Sequence, residues 1–141
     1  MTRIDFHTNI ADKVAYACRL ARKAYGANGK LILLAEDDAQ AAALDAALWT
    51  LSDTDFLPHV LAGDALAAQT PIIVTASDSD PMPHYDMLIN LTRRTPASFA
   101  RYARVFEIIS TDEQDAAEGR KRYVAYKKLS HPLTHFVAGK T

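Results

Sequence analysis

Short apolar runs alternate with amphipathic and polar stretches along this chain. Residues 2–7, TRIDFH, place Ile4 and Phe6 on one side of an alternating pattern, which predicts a first strand. Ile10, Val14, Ala17, Ala21 and Ala24 then recur at helical spacing, with Cys18 and Tyr25 beside them. Lys13, Arg19, Arg22 and Lys23 take the opposite face, so the pattern predicts an amphipathic helix, capped by Asn9 and closed by Gly26 and Gly29. KLILLAE (30–36) is continuously apolar and short, as in a strand buried on both faces. EDDAQAAALDAALW (36–49) predicts a helix, because alanine and leucine favour one and Asp37 or Asp38 can cap it. PIIVTA (71–76), DMLINL (86–91) and VFEIIS (105–110) predict three more strands. Loops are expected around Pro58 and Gly63 and over 77–85, and a turn or short helical piece over 93–103. Ser110 and Glu113 have capping-box spacing and open a last helix, which Pro132 stops. Leu133, Phe136 and Val137 can dock the tail onto the domain.

Strands alternating with helices, with no linker or repeat, predict one three-layer α/β domain over residues 1–141 with a mainly parallel sheet. A length of 141 residues permits a substantial core. No apolar run reaches the ~20 residues of a membrane span, and the first residues lack the pattern of a signal peptide. One cysteine, Cys18, excludes an internal disulfide and fits a reducing cytoplasm. Charge is unevenly spread: residues 1–92 hold 6 Lys/Arg against 12 Asp/Glu, whereas 93–141 hold 10 against 5. Such a basic second half suits an anionic partner, and equally a solvated mixed surface.

Catalytic motifs are largely missing. The first strand leads into HTNIAD, with no glycine to admit a pyrophosphate, so no nucleotide-binding glycine loop is expected. GANGK (26–30) has the wrong spacing for a phosphate loop and precedes a strand. His131 and His135 are separated by a proline, His7, His59 and His84 are scattered, and no paired-cysteine or H-E-x-x-H spacing exists. Cys18 lies in the apolar helix stripe, and no G-x-S-x-G elbow is present. The acidic group EDD (36–38) stays open between two readings. It caps a helix, or it holds a metal at Asp37 and Asp38 for an enzyme acting on a phosphate ester.

Two surfaces stand out instead. On the last helix, Arg120, Tyr123, Val124 and Lys127 share one face, with Arg122, Tyr126 and Lys128 nearby. A mixed cationic and aromatic face suits an acidic peptide with an apolar end, or a nucleic-acid strand; alternatively the tyrosines are core. The second is LWTLSDTDFLPH (48–59), where Trp49, Phe56, Leu57, Pro58 and His59 either close the core or form a helix-accepting patch.

Six stretches, in order, resemble the chi subunit family of bacterial DNA polymerase III: DFHT, LILLAEDDAQAAALDAALWT, FLPHVLAGD, DMLINL, FARYARVFEIIS and GRKRYVAYKKLSHPLTH. They span residues 3–135, and each is weak alone. The resemblance implies a Rossmann-like domain without a nucleotide site, without catalysis and without a cofactor or metal. It implies a cytoplasmic, replisome-associated accessory subunit of the clamp loader, contacting DNA mainly indirectly and no membrane. The implied partners are the C-terminal tail of single-stranded DNA-binding protein and the psi subunit. The tail site then falls on the last helix, where Arg120 and Tyr123 carry over directly, Val124 shares their face and Lys127 and Arg122 substitute as cations, and the psi site falls on Trp49, Phe56, Leu57, Pro58 and His59. Ala116 and Val124 stand where other members of the family carry basic residues.

Overall fold

The structure, a computed structural model, describes residues 2–50 and 57–139. Among these residues seven strands form one sheet: β1 (Arg3–Ile10), β2 (Leu31–Leu34), β3 (His59–Leu61), β4 (Ile72–Thr75), β5 (Met87–Asn90), β6 (Arg104–Ser110) and β7 (Leu133–Val137). Their spatial order is β3-β4-β2-β5-β6-β1-β7, and every pairing is parallel. Among the described residues three α-helices, α1 (Lys13–Gly26), α2 (Asp38–Thr50) and α3 (Glu113–Lys128), make the outer layers. The expected three-layer, Rossmann-like α/β class is the observed one.

Strand alternation sorts the core into two clusters. Leu31, Leu33, Ile72, Val74, Phe106 and Ile108 pack under α1 and α2, against Ala17, Ala21, Leu44 and Leu48. Ile4, Phe6, Ile32, Leu34, Val105 and Ile109 face the other way, toward Tyr126 of α3. Continuous apolar runs such as LILL are therefore buried on both faces, which requires helices on both sides of the sheet. Cys18 is buried on the inward face of α1, and desolvation pushes its thiol up to about 11.

Several boundaries differ from the sequence expectation. β1 continues to Ile10, which packs in the core rather than opening α1. Asn9 caps nothing: it has φ of 62° at a register shift between β1 and β6, and its Nδ2 donates to the Ala138 carbonyl. Asp12 caps α1, accepting the Ala15 amide at 3.1 Å. Likewise Ser110 is the end of β6, and the cap of α3 is Asp112, which accepts the Asp115 amide at 2.9 Å. In both cases an aspartate immediately before the helix has the shorter reach to the open amides. β3 lies within a stretch expected to be loop. The tail, expected merely to dock, becomes β7 and makes β1 an interior strand.

Beside β7, Asp5 of β1 holds the edge in place, in register with Thr134. Its carboxylate accepts from Arg104 Nε at 2.5 Å, from Arg3 Nε at 3.2 Å and from the Thr134 hydroxyl. Burial would raise the Asp5 pKa, but these partners outweigh it and hold the group below the usual carboxylate range.

Candidate functional site

The position of α3 follows from its inward stripe. Asp115, Gly119, Arg122 and Tyr126 recur at intervals of four, three and four residues and are all buried. A Cβ at position 119 would collide with the Ile109 side chain, so glycine there lets the helix lie close on β6. Asp115 ties the helix start down: it accepts the Ser110 amide at 2.7 Å and Lys13 Nζ at 3.1 Å. Burial works to raise its pKa, yet the Ser110 amide and the Lys13 ammonium prevail and lower it.

Rotated away from this stripe, Ala116, Arg120, Tyr123 and Val124 line an open groove of 590 Å³. Its opposite wall comes from Phe6, Thr8 and Asn9 of β1, Ile109 and Ser110 of β6, and His135 of β7. Tyr123 is fixed edge-on against Phe6, with ring centroids 5.1 Å apart. His135 is oriented by the Thr8 hydroxyl, 2.8 Å from its Nε2. Val124 is 50% exposed, so the groove presents apolar surface to solvent. Arg120 is exposed at its rim. Lys127 is exposed about two turns further along α3 and does not line the groove. The arrangement can take an apolar group between Tyr123, Val124 and Phe6 while offering a guanidinium to an anion.

Arg122 is a correction to the sequence assignment. It is 4% exposed and turned into the molecule, where its Nε and Nη2 each lie 3.1 Å from Glu107 Oε1. Glu107 is fully buried and also accepts from the Tyr126 hydroxyl at 2.7 Å and from Asn90 Nδ2 at 2.9 Å. Burial raises the Glu107 pKa, against the pull of Arg122, Tyr126 and Asn90. Arg122 therefore presents nothing to a ligand in the groove; it neutralises a charge under α3. Tyr126 is core as well.

The second candidate surface divides. Trp49 is 55% exposed, with its ring tilted over His59 at a centroid separation of 4.7 Å. Leu57 and His59 are buried, at 4% and 5% exposed, and are not available to a partner in this conformation. His59 Nδ1 lies 2.6 Å from the Leu57 carbonyl, and Nε2 lies 3.3 Å from Asp45 Oδ1. Pro58 is half-buried, and Phe56 lies outside the described residues. The segment thus closes the core through Leu57 and His59 and leaves Trp49 outside.

The acidic group at 36–38 is engaged in local structure. Glu36 accepts from Arg94 Nη1 and from the Arg93 amide, both at 3.2 Å, and Asp37 caps α2 through the Gln40 amide at 2.8 Å. Among the described residues no group of three histidine, cysteine or carboxylate side chains is placed to hold a metal ion. No helix among them is long and apolar enough to cross a membrane.

Comparison with known proteins places residues 1–134 in the family described as "DNA polymerase III chi subunit, HolC". The chain is similar to the DNA polymerase III subunit chi of Pseudomonas aeruginosa, at 31% identity over 137 residues and 94% of each chain. It is similar to the subunit of the same name from Haemophilus influenzae, at 29% identity over 107 residues, covering 76% of this chain and 74% of the relative. The Escherichia coli subunit is 29% identical over 111 residues, covering 78% of this chain and 75% of the relative.

Proposed function

Because this chain belongs to the DNA polymerase III chi subunit family, we propose that it is a non-catalytic accessory subunit of the clamp-loader complex. In this reading the groove along α3 receives the C-terminal tail of single-stranded DNA-binding protein, in the cytoplasmic replisome. The exposed Trp49 face serves a psi subunit. The observation that carries the tail assignment is the pairing of an apolar groove, walled by Tyr123, Val124 and Phe6, with an exposed guanidinium at Arg120. A tail of aspartates followed by Ile-Pro-Phe, as the family resemblance implies, has the matching chemistry: an apolar terminal ring and a terminal carboxylate.

Arg120 can grip that carboxylate with two parallel hydrogen bonds while the ring of the peptide's last residue meets Tyr123 and Val124. No bond is made or broken. The subunit couples two assemblies by holding one end of each, so its contribution is effective concentration rather than chemistry. The test is a pull-down with intact and tail-deleted single-stranded DNA-binding protein. Capture of the intact form alone supports the reading, and equal capture of both overturns it.

A further inference from the structure

β7 separates two hollows. His135 points into the α3 groove, while its neighbour Phe136 points to the α1 face of the sheet edge. There a second hollow of 320 Å³ is lined by His7, Tyr16, Arg19, Leu20, Lys23 and Phe136. Three of these six residues have aromatic rings and two are cations. Phe136 is 55% exposed, with its ring centroid 5.6 Å from that of His7. His7 is itself bonded to the Tyr16 hydroxyl, and Arg19 stands over the Tyr16 ring at 5.9 Å. Arg19 and Lys23 are four residues apart on α1, exposed and on one face. Residues 13–26 contain no aspartate or glutamate to neutralise them. Lys13, the first cation of the helix, is turned to Asp115 and takes no part.

We propose that this α1–β7 face binds single-stranded nucleic acid, with a base stacked on the exposed Phe136 ring and phosphates held by Arg19 and Lys23. An exposed ring beside a cationic stripe is the combination that unpaired strands require, because every base has a π-face and every linkage a charge. A duplex would hide its bases from Phe136, so the surface selects single strands. An acidic peptide would use the cations but offer at most its terminal ring to Phe136, whereas every nucleotide of a strand pairs a planar base with a charge. The inference is independent of what occupies the α3 groove. The two hollows lie back to back on one strand, so a tail peptide and a nucleic-acid strand can be held together.

The test is fluorescence anisotropy of a labelled oligothymidylate of about 15 nucleotides, titrated with the full chain at low salt. Wild type should bind, with affinity falling as salt rises. Phe136→Ala should weaken binding by about 5- to 140-fold, the range expected for one lost stacking contact. Arg19→Ala and Lys23→Ala should each lower the slope of log affinity against log salt by about 0.7. These side chains are exposed or largely so, and each variant should keep its affinity for a labelled acidic tail peptide, which reports folding and an intact α3 groove. The proposal is overturned if wild type fails to bind the oligonucleotide, or if Phe136→Ala and Arg19→Ala bind it as wild type does. Loss of oligonucleotide binding on Arg120→Ala alone would place the strand on α3 and also overturn it. Failure of tail-peptide binding would sink the groove assignment and leave this proposal standing.

Discussion

Arg122 and Glu107 form an ion pair beneath α3, 3.1 Å apart and at 4% and 0% side-chain exposure. Arg120, two positions earlier on the same helix, is exposed at the rim of the groove. One turn of helix thus carries two arginines with opposite tasks. The first stabilises the fold and the second is open to an anion.

Truncating Arg122 should therefore cost folding and not recognition. Arg122→Ala leaves the Glu107 carboxylate buried with only Tyr126 and Asn90 to solvate it. Breaking a buried pair from one side costs ~3–5 kcal/mol. The urea midpoint should fall sharply, whereas Arg120→Ala should leave it nearly unchanged. Chemical denaturation of the two variants side by side checks this. Similar midpoints would refute the division of roles.

That division marks the limit of what the chain's pattern discloses. LILL and IIVT are legible as buried strands because both faces are covered and the runs are continuous. α2 is legible from its alanines. The inward turn of Arg122 is not legible from α3, whose polar composition gives a helical stripe with no clear apolar side. The signal for it stood elsewhere: Glu107 is the lone charge inside VFEIIS, and a buried carboxylate demands donors. β7 was hidden because LTHFV is an edge strand with three exposed residues, so burial leaves little imprint on its sequence. β3 has only three residues. Asn9 reads locally as a helix cap because its left-handed backbone and its bond to Ala138 depend on the distant tail. On α3, helical spacing alone grouped Arg120, Tyr123 and Val124, but the β1 and β7 walls of the groove come from remote parts of the chain.

Acid should unfold this protein partly through Asp115. Its folded pKa is lowered, because the Ser110 amide and Lys13 overcome the cost of burial. A carboxylate of this kind adds stability above its unfolded pKa of ~3.9 and loses it as pH falls through the lower folded value. Glu107 works in the opposite direction, since burial raises its folded pKa and protonation there favours the folded state. Stability should drop from about pH 4 downward, and Asp115→Asn should flatten that descent while lowering stability at neutral pH. Urea midpoints across an acid series measure both. A descent as steep in Asp115→Asn as in wild type would exclude this carboxylate as a cause.

Trp49 and Leu57 should separate surface from core within one segment. Leu57 is 4% exposed, and Leu57→Ala should destabilise the isolated chain by ~2–5 kcal/mol. Trp49 is 55% exposed, so Trp49→Ala should shift the urea midpoint much less and act chiefly on partner binding. Calorimetric titration with a psi subunit, beside denaturation of each variant, distinguishes the two effects. If Trp49→Ala unfolds the free chain as readily as Leu57→Ala, Trp49 belongs to the core and the partner surface must lie elsewhere.

The Arg120 prediction bears most directly on the proposed function. A guanidinium at the groove mouth that grips a carboxylate makes charge-assisted hydrogen bonds, worth ~1.5–3 kcal/mol. At about 1.4 kcal/mol per decade, Arg120→Ala should weaken an acidic tail peptide by roughly 10- to 150-fold. Lys128→Ala should matter little, because Lys128 lies at the end of α3 and does not line the groove. Tyr123→Ala removes the ring that meets Phe6 and should weaken a peptide ending in Phe more than one ending in Ala. Arg120→Ala should show no such dependence on the terminal ring, since it acts on the carboxylate. Raising salt should weaken wild-type binding and affect Arg120→Ala less, since one exposed charge has been removed from the contact. Labelled peptides with the two endings, titrated into each variant at two salt concentrations, resolve these contributions. Equal affinities for wild type and Arg120→Ala would show that the carboxylate is gripped elsewhere, and a ring dependence that survives Tyr123→Ala would move the apolar pocket away from α3.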